Sequence, residues 1–415
     1  MTIAFVAADA GSGPLTWGQL AIWDAIGRTA PDDGYFNFGR ILKVPGVRTA
    51  VEVRAALGAL VAVHGALRTR LDLAGPRPRQ RLAARGELPV ECCAGDPEAV
   101  LAGLVARPFD YEAEWPLRVA LVMDGPRVGH VVLAFCHVAA DGLGADVAVR
   151  DLRVLLLRGA GALGGRPAPR PLDLARWQAG PEGRRAAARA ARLWEKVPRE
   201  VMFDRPAGAG ERPRVWRGQL ASPAMDLAVR AVAARHRTST STVLLAATAA
   251  LVGRSTGRER CAVLPIASNR FRRDTARIVG MVSQEGAFAL EGVDRPFGEL
   301  LRAADPAALR AYRSAFHDPL DRMRGGWAQP LCCFNDQRPV RPDPAPCAPA
   351  KVRAALPASR LSWPLGQERL NCRFCVHVTG ALEVSVTADT AYLPRRGIER
   401  FLFGLESLLV AQAGA

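Results

Sequence analysis

Lysine is nearly missing from this chain: only Lys43, Lys196 and Lys351 carry a side-chain ammonium, so the formal net charge of +16 is almost all arginine. That usage, beside abundant Ala and Gly, is what a GC-rich coding sequence gives. The arginines are scattered, with short clusters at Arg184-Arg185 and Arg272-Arg273 and no long basic block. Zinc-finger spacing and aromatic-basic RNA-binding motifs are also lacking, and together these absences argue against nucleic acid as the partner. No stretch is long and apolar enough for a membrane span. The best, Thr238 to Gly253, is short and interrupted by Ser and Thr. Met1 to Asp9 has no basic segment followed by an apolar core, so a cytoplasmic protein with free thiols is expected. The nine cysteines are an odd number. Cys372-x-x-Cys375 has no second cysteine pair at zinc-site spacing, and Leu370 to Val378 reads as a strand. Residues three apart on a strand point to opposite faces, so no metal site is expected.

What is present is an ordinary globular composition, with 49% hydrophobic residues, 39 Gly and 31 Pro. A length of 415 residues suits two domains of about 200 residues each. Gly159 to Pro171 is rich in Gly and Pro and breaks a helical pattern, which divides the chain into 1–165 and 166–415. No internal repeat shows.

The stretch from Val131 to Gly142 organises the rest. Val131-Val132-Leu133-Ala134-Phe135-Cys136 has the length and Val content of a buried strand and runs into His137. Asp141-Gly142 follows and reads as a tight turn, with Gly142 free to take a positive φ. Leu143 to Leu157 then carries apolar residues at helical spacing. A strand, a His loop and a helix in that order deliver an imidazole just outside a sheet.

These residues resemble the His-His-x-x-x-Asp-Gly motif of nonribosomal peptide synthetase condensation domains and the wider CoA-dependent acyltransferase superfamily. His137, Asp141 and Gly142 match, and Cys136 stands where the motif has its first His. Thr16 to Trp23 resembles the family's opening helix, with Gln19 and Trp23 matching its Gln and Trp beside Trp17. His64, Leu67, Arg68 and Thr69, at the end of a helical pattern from Thr49 to Leu71, match a further motif. Phe109-Asp110 with Pro116-Leu117-Arg118 matches a third. Val279-Gly280 matches a Val-Gly segment, with Ser283-Gln284 where Asn-Thr is usual. The Asp-Phe-Gly-Trp-Gly segment of plant-type and chloramphenicol-type acyltransferases is missing, which favours the condensation branch.

The resemblance implies a mixed α/β fold, a pseudodimer of two chloramphenicol acetyltransferase-like lobes around a central tunnel. It implies His137, Asp141 and Gly142 as the catalytic group. Arg270 is the expected partner of Asp141, and Cys136 supports the site. Trp17, Gln19, Ser283 and Asn335 are expected along the substrate channel. No cofactor is expected to be bound; the acyl group would arrive on the phosphopantetheine of an acyl or peptidyl carrier protein acting in trans, or on CoA. A positive protein field suits either donor. The implied activity is a stand-alone condensation-type acyltransferase with a small-molecule amine or alcohol acceptor. The alternatives are a CoA-dependent O-acyltransferase and a non-catalytic module that recruits a partner.

Overall fold

Val131 through Phe135 are fully buried in the computed structural model, because the strand they form, Arg127–Phe135, is covered on both faces. Val131, Leu133 and Phe135 point one way, onto Leu57 and Leu60 of the helix Ala50–Val63 and Ala148 and Leu152 of the helix Gly142–Arg158. Val132 and Ala134 point the other way, onto Leu104 of the helix Pro97–Ala106. Period-two alternation with helices on both sides is why the sequence here is apolar without a break.

The structure describes residues 1–164, 168–197, 202–324, 332–338 and 343–414. They form two compact units, Met1–Arg185 with Ser268–Ser283, and Ala186–Ala267 with Gln284–Ala415. The division expected at Gly165 and Arg166 falls outside the described residues, and the first unit extends further, to Arg185. Its helix Pro171–Ala179 is held to the rest of that unit by Gln178, whose Oε1 accepts from the Trp17 backbone N–H at 2.9 Å. Arg170, just before that helix, pairs with Asp9 at 2.6 Å.

In the first unit a five-stranded sheet runs in the order Thr2–Val6, Arg85–Cys93, Leu117–Asp124, Arg127–Phe135, Phe38–Lys43. Only the Arg85–Cys93 and Leu117–Asp124 pair is parallel. Thr16 and Thr49 start their helices with reciprocal capping boxes, closed by Gln19 and Glu52. The helical pattern from Thr49 does not run on to Leu71. The helix ends at Val63, and after one tight turn Thr69–Asp72 is a strand of a three-stranded sheet with Gly11–Pro14 and Arg79–Leu82. Arg68 at that turn is 1% exposed and donates to the Asp9 and Ala83 carbonyls at 2.9 and 2.6 Å, and to the Asp9 carboxylate.

The second unit is built on an eight-stranded mixed sheet in the order Gln284–Glu285, Arg260–Ala267, Cys332–Asp336, Phe374–Thr379, Glu383–Asp389, Val215–Ala221, Arg360–Gln367, with Phe288–Glu291 also on Arg260–Ala267. The sequence pattern of a strand running into Asn335 starts at Leu331, which lies outside the described residues. The uncharged Thr238 to Gly253 run becomes the helix Thr240–Thr256, buried on nearly every side. Among the described residues no helix is long and apolar enough to cross a membrane. The mixed α/β class is as the sequence implies.

One reading of the sequence is overturned here. The last strand to carry cysteine begins at Phe374, so Cys372 lies in the bend before it and not on the strand. The opposite-faces argument therefore fails, and Cys372 and Cys375 are joined as a disulfide.

Candidate functional site

His137 stands two residues beyond the strand that ends at Phe135, half-buried against Phe38 and Phe36 at ring-centroid distances of 5.1 and 6.4 Å. Its Nδ1 lies 2.9 Å from the Ala140 carbonyl oxygen. A carbonyl only accepts, so Nδ1 carries the proton and Nε2 is left with its lone pair. Burial pushes the imidazole below its ordinary pKa, against opposing pulls from the Ala140 carbonyl and Asp141. The ring is therefore held neutral, in one tautomer, with a basic nitrogen free.

Asp141 does not face outward with it. It is 3% exposed and caps the helix Gly142–Arg158, with Oδ1 accepting from the Gly144 N–H at 2.8 Å. Arg270 donates to both oxygens, Nη2 to Oδ1 at 2.6 Å and Nη1 to Oδ2 at 2.8 Å. Oδ2 also accepts from the Val282 N–H at 3.2 Å, the Ser283 N–H at 3.0 Å and the Ser283 hydroxyl at 2.8 Å. Burial alone would raise this carboxyl, but Arg270, Gly144 and Ser283 outweigh it and hold it below the usual carboxylate range. Arg270 adds bonds to the carbonyls of Ser268, Ile278 and Gly280 at 3.2, 3.3 and 3.4 Å. Asp141 thus fastens the His loop to the segment Ser268–Ser283, which the chain reaches more than a hundred residues later.

Gly142 is not in a positive-φ turn; it is the first residue of the helix. Its N–H consequently has no intrahelical acceptor, and its carbonyl accepts from Arg40 Nη2 at 3.2 Å. Arg40 is fixed in turn by Asp146 at 2.7 Å. Gly144, unremarkable in the sequence, is the glycine that space requires: a Cβ there would lie 3.0 Å from Gly280 N and O and 3.2 Å from Arg270 Nη2. Gly144→Ala should lower stability by about 1–3 kcal/mol through overpacking. Equal melting temperatures for variant and wild type would show that the segment yields freely.

The remaining sequence candidates divide. Cys136 is buried with Leu15, Ile22 and Met281, and burial pushes its thiol up to about 12. Trp17 opens the helix Trp17–Thr29 and is 5% exposed. Gln19 is committed to the capping box, its Oε1 accepting from the Thr16 N–H at 2.9 Å. Ser283 is held on Asp141. Asn335 belongs to the second unit, directly across from His377 on the neighbouring parallel strand. Arg40, Phe36, Phe38 and Gly144 were not singled out from the sequence. Of these only Phe36 and Phe38 leave a signal there, as apolar residues two apart in the strand-like alternation from Phe36 to Val44.

The Condensation domain family matches residues 26–315, well over half of the sequence, and the chain belongs to that family. Phosphinothricin tripeptide synthetase PhsC of Streptomyces viridochromogenes is 27% identical over 323 residues, which are 71% of this chain and 29% of that protein. The chain spans less than a third of the length of the curated relatives it matches. Among solved structures, the condensation domain of chain release from the enacyloxin polyketide synthase superposes with a TM-score of 0.76 at 20% identity, covering 98% of this chain and 83% of that one. SgcC5 from Streptomyces globisporus gives 0.74 at 18% identity, covering 97% and 100%. These likenesses establish the condensation-domain fold.

Proposed function

We propose that this chain is a condensation-type acyltransferase of natural-product biosynthesis, with His137 Nε2 as general base. Its donor is an acyl or aminoacyl thioester on a carrier protein, and its acceptor an amine or, secondarily, a hydroxyl. The observation that carries this reading is the Nδ1–H bond from His137 to the Ala140 carbonyl, which leaves Nε2 unprotonated. As the acceptor nitrogen attacks the thioester carbonyl, its proton passes to Nε2. The tetrahedral intermediate carries an oxyanion, for which the Gly142 N–H at the helix start is the candidate donor. Collapse breaks the carbon–sulfur bond, and the departing thiolate takes the proton back from the imidazolium. Asp141 and Arg270 are positioning residues in this scheme. Of the expected substrate contacts in the first unit Trp17 is retained, whereas Gln19 and Ser283 serve local structure. A covalent route through Cys136 is disfavoured by its buried, strongly protonated thiol.

The test offers one acyl group both on a carrier protein and as its CoA thioester, with a panel of amines and alcohols, and reads products by mass spectrometry. Transfer from the carrier supports the proposal and names the acceptor class. Transfer from CoA alone moves the chain to the O-acyltransferase alternative, and stable carrier binding without turnover to the recruiting one. The pH profile supplies a second check. Because the folded His137 is depressed, the base stays neutral below the ordinary value, and kcat/KM should fall on the acid side with an apparent pKa below about 6.5. An acid limb centred above 7 would contradict that assignment.

A further inference from the structure

The second unit brings together three sulfurs that the acyl-transfer chemistry does not use. Cys333, on the strand Cys332–Asp336, lies directly across from Cys375 on the parallel strand Phe374–Thr379, and Cys372 folds back from the bend before that strand. The three Sγ atoms all lie within 4.8 Å of one another. Cys372 and Cys375 are 4% and 3% exposed, while Cys333 is partly open to solvent and gives a route in. On a tetrahedral zinc ion with Zn–S bonds of ~2.3 Å, two thiolates sit about 3.8 Å apart. Once the disulfide is open, reaching that spacing moves the Cys372 and Cys375 sulfurs apart and brings Cys333 Sγ closer by at most ~1 Å.

We propose that Cys333, Cys372 and Cys375 form a thiolate site for zinc, and that the Cys372–Cys375 disulfide is the oxidised, metal-free form of that site. A dithiol opens the disulfide by giving two electrons and two protons and is itself oxidised to a disulfide; a phosphine gives two electrons and becomes its oxide, with water supplying the oxygen and the two protons. The three thiols then release three protons to solvent as their sulfurs ligate the ion, with a water in the fourth position. The bound ion would fix the register of two strands two residues before Asn335.

The test is metal analysis of the whole chain, grown with zinc, purified in a phosphine reductant and dialysed. One zinc per chain is expected, released when a thiol oxidant re-forms the disulfide. It should be lost in Cys333→Ser and in Cys375→Ser, and kept in Cys347→Ser. Should the variants not fold, cobalt titration of reduced wild type still decides, by the thiolate charge-transfer and tetrahedral ligand-field absorption expected on binding. Reduced wild type with no zinc and no such cobalt spectrum overturns the proposal, as does zinc retained undiminished in folded Cys333→Ser. Either result would leave the three cysteines as a thiol–disulfide group only.

Discussion

Replacing His137 by Ala should reduce acyl transfer by about 10²–10⁴-fold while the protein stays folded. In barrier terms that is roughly 3–5 kcal/mol, the contribution of one well-placed proton acceptor. The loss belongs in kcat, and in kcat/KM to the same degree, because the base acts on a proton that moves only in the transition state. The half-buried ring is oriented by its hydrogen bond to the Ala140 carbonyl and meets the Phe36 and Phe38 rings in tilted and edge-on contacts. A folded His137→Ala protein should also lose the acid limb of the pH profile, since the group that titrates there has gone. Transfer by this variant within tenfold of wild type, with the acid limb intact, would remove His137 as the base. The first measurement fixes size and the second fixes identity, so a rate loss caused by local collapse is distinguishable from loss of a proton acceptor.

How much of this site could be read from the sequence depends on the distance along the chain over which each feature is determined. The strand before His137 was legible because alternation under two helical layers leaves a continuous apolar run. The role of Asp141 was half legible. An Asp just before a helical pattern is an N-cap by composition, yet the Asp-Gly pair reads equally as a turn, and only the backbone separates the two. Its link to Arg270 joins residues 129 apart, which no local rule reaches; the family resemblance carried it. Gln19 shows the reverse. The motif suggested a substrate contact, whereas Thr16-x-x-Gln19 is itself a capping box and predicts what the structure shows. The cysteines were misread for a small reason with a large effect. Starting one strand four residues later takes Cys372 off it, and two sulfurs that would have diverged meet instead.

Asp141→Asn, finally, should destabilise the first unit by about 3–5 kcal/mol, the usual cost of stranding one partner of a buried pair, and lower its melting transition by ~10 °C. Asparagine is nearly isosteric, but the donor pattern forbids it. Oδ1 accepts from Arg270 and Gly144, and Oδ2 from Arg270, Val282 and both donors of Ser283. Whichever way the amide is turned, its NH2 group faces other donors, and the Arg270 guanidinium, 8% exposed, keeps its charge without a counterion. The pH dependence has a definite sign. The folded carboxyl is held below its unfolded value, so the stabilisation is complete above about pH 4 and is lost as pH falls towards the folded value. That share of acid sensitivity should be absent from Asp141→Asn. Combining it with Arg270→Gln, which removes the stranded charge, should cost less than the sum of the two single changes, with a coupling of about 1–3 kcal/mol. Additive single effects, or an Asp141→Asn transition unchanged from wild type, would show that the pair does not brace the loop. Activity lost without stability would then make Asp141 a participant in the chemistry in its own right.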